Sequence, residues 1–160
     1  MKKHTLAVTV ENKPGVLTRV ATLFRRRGYN IDSLTVGTTE NANISRMTIV
    51  VQGDDAVIEQ VTKQLHKLVD VIKIVDLTDE RAVDRELVLI KVKADNTVRA
   101  EIVQIVEIFR ARIVDIGRSI LVIEATGDSV KIDAIEESLR PFGIMELVRT
   151  GRVSMMRGTK

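Results

Sequence analysis

The chain has 160 residues, enough for one ordinary domain or two small ones. Its 25 Lys and Arg against 22 Asp and Glu leave a formal charge of only +3, so a pI near 9.3 reflects a small imbalance and gives little support to nucleic-acid binding. The absence of cysteine excludes disulfides, thiolate metal sites and a cysteine nucleophile, and no apolar run is long enough to span a membrane.

These limits suit a soluble cytoplasmic protein. The opening Met1-Lys2-Lys3-His4 leads straight into a strand pattern, with no room for a signal or transit peptide. Over residues 5–10, Leu6, Val8 and Val10 alternate with Ala7 and Thr9, as in a half-buried strand. Asn12-Lys13-Pro14-Gly15 then turns the chain into a helix over 15–27, with Val16, Val20, Leu23 and Phe24 on one face. Pro14 is expected in the first helical turn, and Gly15 lets the backbone approach a ligand closely. Free N–H groups near Gly15, Val16 and Leu17 suit a carboxylate or phosphate, and Asn12 can accept from an ammonium or donate to a carboxylate. A plain turn with a capped helix is the competing reading of the same corner.

Arg25-Arg26-Arg27 ends this helix before Gly28, which suits either dipole compensation or an ion-paired partner surface. Strands follow at 29–37 and 45–52, joined by a loop over 40–43, then a helix from Gly53-Asp54 with Ile58, Val61, Leu65 and Leu68 inward, and a strand over 71–77. The order is β-α-β-β-α-β. Residues 86–93, 97–110, 112–116, 119–125, 129–139 and 144–150 repeat it, and Gly53-Asp54, Ile58, Val61 and Leu65 recur at one offset as Gly127-Asp128, Ile132, Ile135 and Leu139. The charged stretch 78–85 is the natural boundary. The fold class expected is therefore α+β, two ferredoxin-like sandwiches over 1–78 and 79–160. Consecutive apolar pairs such as Val50-Val51 and the run Leu87-Val88-Leu89-Ile90 suggest strands covered on both faces. The second strand should lie at a sheet edge, open to pairing with a second copy.

Catalytic patterns are missing. His4 and His66 are isolated, the pairs Asp54-Asp55 and Glu136-Glu137 fall at or on helices, and there is no P-loop, nucleophile elbow or metal-ligand spacing. Ferredoxin-like sheets that bind RNA stack bases on strand aromatics, but Phe24 and Phe109 belong to helix core faces and Phe142 to a loop. No segment is left over for a helix-turn-helix.

The corner at 12–20, followed by Leu23-Phe24-Arg25-Arg26-Arg27-Gly28-Tyr29-Asn30-Ile31-Asp32-Ser33-Leu34-Thr35-Val36, resembles the ACT domain of acetolactate synthase (acetohydroxyacid synthase) small, regulatory subunits. Ser45-Arg46-Met47-Thr48-Ile49, Gln64-Leu65-His66-Lys67-Leu68-Val69-Asp70-Val71, Arg85-Glu86-Leu87, Glu107-Ile108-Phe109-Arg110 and Gly143-Ile144-Met145-Glu146-Leu147-Val148-Arg149-Thr150-Gly151 extend the resemblance over nearly the whole chain. It implies a homodimer that binds a catalytic large subunit carrying thiamine diphosphate, Mg²⁺ and FAD, none of which this chain would hold. It further implies activation of that subunit and feedback inhibition by valine or a related branched-chain amino acid. The effector would lie between ACT domains at Asn12, Gly15, Val16, Leu17, Asn30 and Ile31, with Leu34 a further wall candidate and Asn30 reaching across from the second copy. A single two-domain unit without the plant-type duplication suggests a bacterial type. The alternative is an amino-acid sensor that regulates another enzyme or transcription.

Overall fold

The computed structural model describes residues 2–78 and 81–158. Of the charged stretch expected at the boundary, Asp79 and Glu80 lie outside the described residues, as does Met1.

In the first unit, β1 (Lys3–Glu11), α1 (Val16–Arg27), β2 (Asn30–Thr38), β3 (Ile44–Gln52), α2 (Asp55–His66) and β4 (Val71–Asp76) build an antiparallel sheet in the order β2-β3-β1-β4. One sheet face packs on both helices through Leu6, Val8, Val10, Met47, Ile49 and Val51 against Val16, Val20, Phe24, Ile58, Val61 and Leu65. Burying a side chain of this size stabilises by about 1.5–3 kcal/mol relative to exposure. Helix α1 ends because Gly28 adopts φ 67°, letting Tyr29 N–H donate to the Phe24 carbonyl at 3.1 Å. Tyr29 then packs edge-on against Phe24.

The second unit repeats the plan with β5 (Ala82–Lys93), α3 (Arg99–Ile108), β6 (Arg112–Ile116), β7 (Ile120–Gly127), α4 (Ser129–Leu139) and β8 (Ile144–Arg149), in the order β6-β7-β5-β8. Ile90, Ile102, Leu121, Ile123, Ile132, Ile135 and Leu139 centre its core. The duplication reaches the atoms. Asp54 and Asp128 cap α2 and α4 by accepting from Val57 N–H and Lys131 N–H, each at 2.9 Å. A Cβ on the preceding Gly53 or Gly127 would meet those same two side chains at 2.7 and 2.5 Å. Arg110 stands where the first copy has Gly28 and shares its left-handed backbone, at φ 55°.

The sequence division at 78/79 gave everything after it to the second half. The compact units instead divide between Val83 and Asp84, within β5, and the segment from Arg152 onward groups with the first unit. That segment holds a strand absent from the sequence reading, β9 (Val153–Met156), which pairs with β5. Arg152 Nη1 donates to Thr5 Oγ1 at 3.0 Å, and Arg46 Nη2 donates to the Ser154 carbonyl at 2.7 Å. It therefore lies against the sheet face away from the helices, where Thr5, Ala7, Thr48 and Val50 are buried. Both members of the consecutive apolar pair Val50-Val51 are buried, Val51 in the helix-side core. Leu89 of the second unit, also expected to be covered, is 38% exposed.

His66 is exposed, whereas His4 is buried with neither ring nitrogen hydrogen-bonded and Nε2 3.9 Å from Asp55. Among the described residues no helix is long and apolar enough to cross a membrane, and no cluster of His, Asp and Glu could hold a metal ion.

Candidate functional site

Gly15 sets the shape of the corner between β1 and α1. Its φ of 85° and ψ of −7°, with Pro14 before it and Val16 N–H 3.4 Å from the Lys13 carbonyl, describe a type II turn. Pro14 therefore sits in the turn and not in the first helical turn as expected, because the left-handed Gly15 separates it from the helix. The N–H groups of Gly15, Leu17 and Thr18 have no acceptor among the described residues, and all three residues are exposed. Together with the helix dipole they suit a carboxylate.

The side chains around the corner divide by role. Asn12 Nδ2 donates to the Ala42 carbonyl at 2.9 Å, and its backbone N–H donates to Asn43. Its donor half thus pins the β2–β3 loop, leaving Oδ1 to accept from an ammonium group. Val16 is buried in the core, so only its backbone faces the corner, whereas the Leu17 side chain is 45% exposed. Ile31 and Leu34 are half-buried against the core.

Two residues that sequence reasoning missed complete the corner. Arg19 Nε donates to Asp70 Oδ2 at 2.8 Å, and a Cβ on Gly15 would lie 3.1 Å from Arg19 Nη1. Arg19 therefore adds positive charge beside the free N–H groups, and the nearly buried Asp70 holds it there. The available signal was its position: a cation close to a helix N-terminus opposes the dipole unless an anion is near. Lys13 pairs with Glu11 at 2.9 Å, and the hydrogen bond and charge of Glu11 raise its pKa.

Asn30 lies elsewhere. It pairs in register with Gln52, which also faces Lys3, whereas Glu11 pairs with Ile44 at the other end of the sheet. One copy of the chain therefore does not bring Asn30 and Ile31 to Asn12 and Gly15. Strand β2 is an edge strand, as expected.

The second copy fills its own corner. Ala94-Asp95-Asn96-Thr97 replaces Asn12-Lys13-Pro14-Gly15, and Asp95 Oδ1 accepts from Thr97 N–H at 2.9 Å. Hydrogen bonds from the Thr97 hydroxyl and N–H hold the Asp95 pKa below its usual value. An internal carboxylate occupies the position that the first copy leaves open.

The family model described as the AHAS small subunit-like ACT domain matches residues 6–73, and the one described as the small subunit of acetolactate synthase matches 85–158. The chain belongs to the acetolactate synthase small-subunit family. It is 61% identical over 158 residues to a probable acetolactate synthase small subunit from Archaeoglobus fulgidus, covering 99% of each chain. An acetolactate synthase small subunit from Mycobacterium bovis is 54% identical over 159 residues, covering 99% of this chain and 95% of the relative. The crystal structure of the acetolactate synthase small subunit from Thermotoga maritima superposes with a TM-score of 0.94 at 44% identity, covering both chains fully.

Membership makes the chain a regulatory, non-catalytic subunit that associates with an acetolactate synthase large subunit. Its first unit is an ACT domain, and its place is in the regulation of branched-chain amino acid biosynthesis. Because archaeal and bacterial relatives share the undivided length, the single-unit architecture does not by itself indicate a bacterial source.

Proposed function

We propose that the chain senses valine or a related branched-chain amino acid, activates the cytoplasmic large subunit and transmits effector binding to it as inhibition. The α-carboxylate would take the free N–H groups of Gly15 and Leu17 beside Arg19, the ammonium group would face Asn12 Oδ1, and Leu17 and Ile31 would line the side-chain pocket. Thiamine diphosphate, Mg²⁺ and FAD belong to the catalytic partner in this reading.

One observation carries it: the two halves of the expected site sit at opposite ends of one sheet whose edge strand is β2. Antiparallel pairing of β2 with its equivalent in a second copy sets the partner's Asn30 end beside this copy's Thr38 end. That is the end of the sheet where Asn12 and Gly15 lie, so a homodimer completes what one chain leaves split. Transmission requires the ligand to prefer one arrangement of the dimer, with couplings of about 1–3 kcal/mol typical of allostery. Calorimetric titration of the chain with valine, leucine and isoleucine, with and without the large subunit, tests the reading. Saturable heat at one site per chain is expected; no heat with any of the three would overturn it.

A further inference from the structure

Helix α1 carries four arginines and no acidic residue. Arg19 is paired, but the guanidinium groups of Arg25, Arg26 and Arg27 make no hydrogen bond or ion pair among the described residues. Arg19, Arg26 and Arg27 line an open groove of about 330 Å³ between α1 and the end of α2, with Leu23 and Leu68 as its apolar floor and Gln64 on the far wall. By contrast, Lys63 pairs with Glu59 and Arg140 with Glu136 one helical turn away.

Dipole compensation explains basic residues in a last turn, but the duplicated unit shows that this fold does not need them. The offset that carries Val20 onto Ile102 and Phe24 onto Val106 carries Arg19 and Arg25 onto Glu101 and Glu107, and Arg26-Arg27 onto Ile108-Phe109. Helix α3 forms and packs with no basic residue in its last turn. The positive groove is therefore an addition made in one copy only.

We propose that this groove docks an acidic, partly apolar segment of the large catalytic subunit, with carboxylates on Arg26 and Arg27 and an apolar side chain on Leu23 and Leu68. The inference rests on the chain being a subunit that binds a large partner, and not on the identity of the effector. Guanidinium groups match carboxylates in bidentate geometry, and an apolar floor favours a protein segment over a polyanion. A single-stranded nucleic acid would want aromatic stacking surfaces, and this groove contains none. Arg19 also links the groove to the effector corner, since its guanidinium lies against Gly15.

The test uses the full chain and the intact large subunit, comparing wild type with Arg26→Glu/Arg27→Glu and Arg26→Lys/Arg27→Lys. Both positions are exposed, so the variants should fold, as thermal melts will verify. The glutamate pair should weaken association on the order of 30-fold or more, the lysine pair far less, and wild-type association should weaken with added salt. Calorimetric affinity for the branched-chain amino acids should stay unchanged. Equal association of wild type and glutamate variant would overturn the groove alone, whereas failure of the wild type to bind the large subunit would overturn the groove and the subunit reading together. Binding of a single-stranded oligonucleotide that the glutamate variant abolishes, with large-subunit association intact, would assign the groove to nucleic acid instead.

Discussion

Gly15 combines two roles at one residue: its positive φ makes the turn, and its lack of a Cβ leaves room beside Arg19. Gly15→Asp should cost about 1 kcal/mol or little more in stability, because Asp is among the residues that tolerate the left-handed region. Its carboxylate would sit against Arg19 and occupy the place proposed for the ligand's. Effector binding by calorimetry and inhibition of the reconstituted enzyme should both be lost while activation persists; undiminished inhibition would remove Gly15 from the site. Asn30→Ala should leave the melting temperature unchanged, since among the described residues the only side-chain partner of Asn30 is Gln52 at 3.5 Å on the surface. Effector affinity should fall by about 1–3 kcal/mol if Asn30 meets a buried ligand across the dimer. Wild-type affinity would mean that Asn30 only shapes its strand.

Among the elements, β8 and α4 are held together by an ion cluster. Arg149 Nε donates to Glu86 Oε1 at 2.9 Å and Nη1 donates to Asp133 Oδ1 at 2.6 Å, while Ser129 Oγ also donates to Glu86. Burial works against the charge of Arg149, and the hydrogen bonds it donates to these carboxylates, with their negative charge, overcome it and raise the pKa. Arg149→Ala would leave Glu86, 9% exposed, as a carboxylate that keeps its Ser129 hydrogen bond but loses the cation beside it. A loss of about 3 kcal/mol in urea denaturation is expected, and adding Glu86→Leu should recover much of it. A midpoint unchanged by Arg149→Ala would show that Glu86 finds water or another donor. The element order and the edge position of β2 were legible in the sequence because periodicity and turn residues act locally. Strand β9 was not, since Val153-Ser154-Met155-Met156 is too short and unpatterned to stand out from a tail.

At the scale of the molecule, the segment from Arg152 onward changes what a truncated chain can do. A chain ended at Gly151 would lose the hydrogen bonds to Thr5 and from Arg46 on the sheet face where Ala7 and Val50 are buried. Destabilisation of about 3 kcal/mol and increased binding of an apolar dye are expected. A fragment ended near Thr78 would share this defect, so weak effector binding by it would not by itself relocate the site. Adding back a peptide of residues 152–160 should restore part of the loss; an unchanged melting temperature on deletion would show that the segment is not stabilising.

The sequence by itself determined the duplicated β-α-β-β-α-β plan, the two helix-covered cores and the Asn12 to Leu17 corner. These follow from side-chain spacing and from the conformational limits of proline and glycine, both short-range properties of the chain. Only the tertiary structure decided that Arg19 stands over Gly15 on a buried Asp70, that Asn30 lies at the far end of its own sheet, and that the last residues return to the first unit. Each of these joins residues far apart in sequence, where the outcome depends on register and packing across strands that no local pattern encodes.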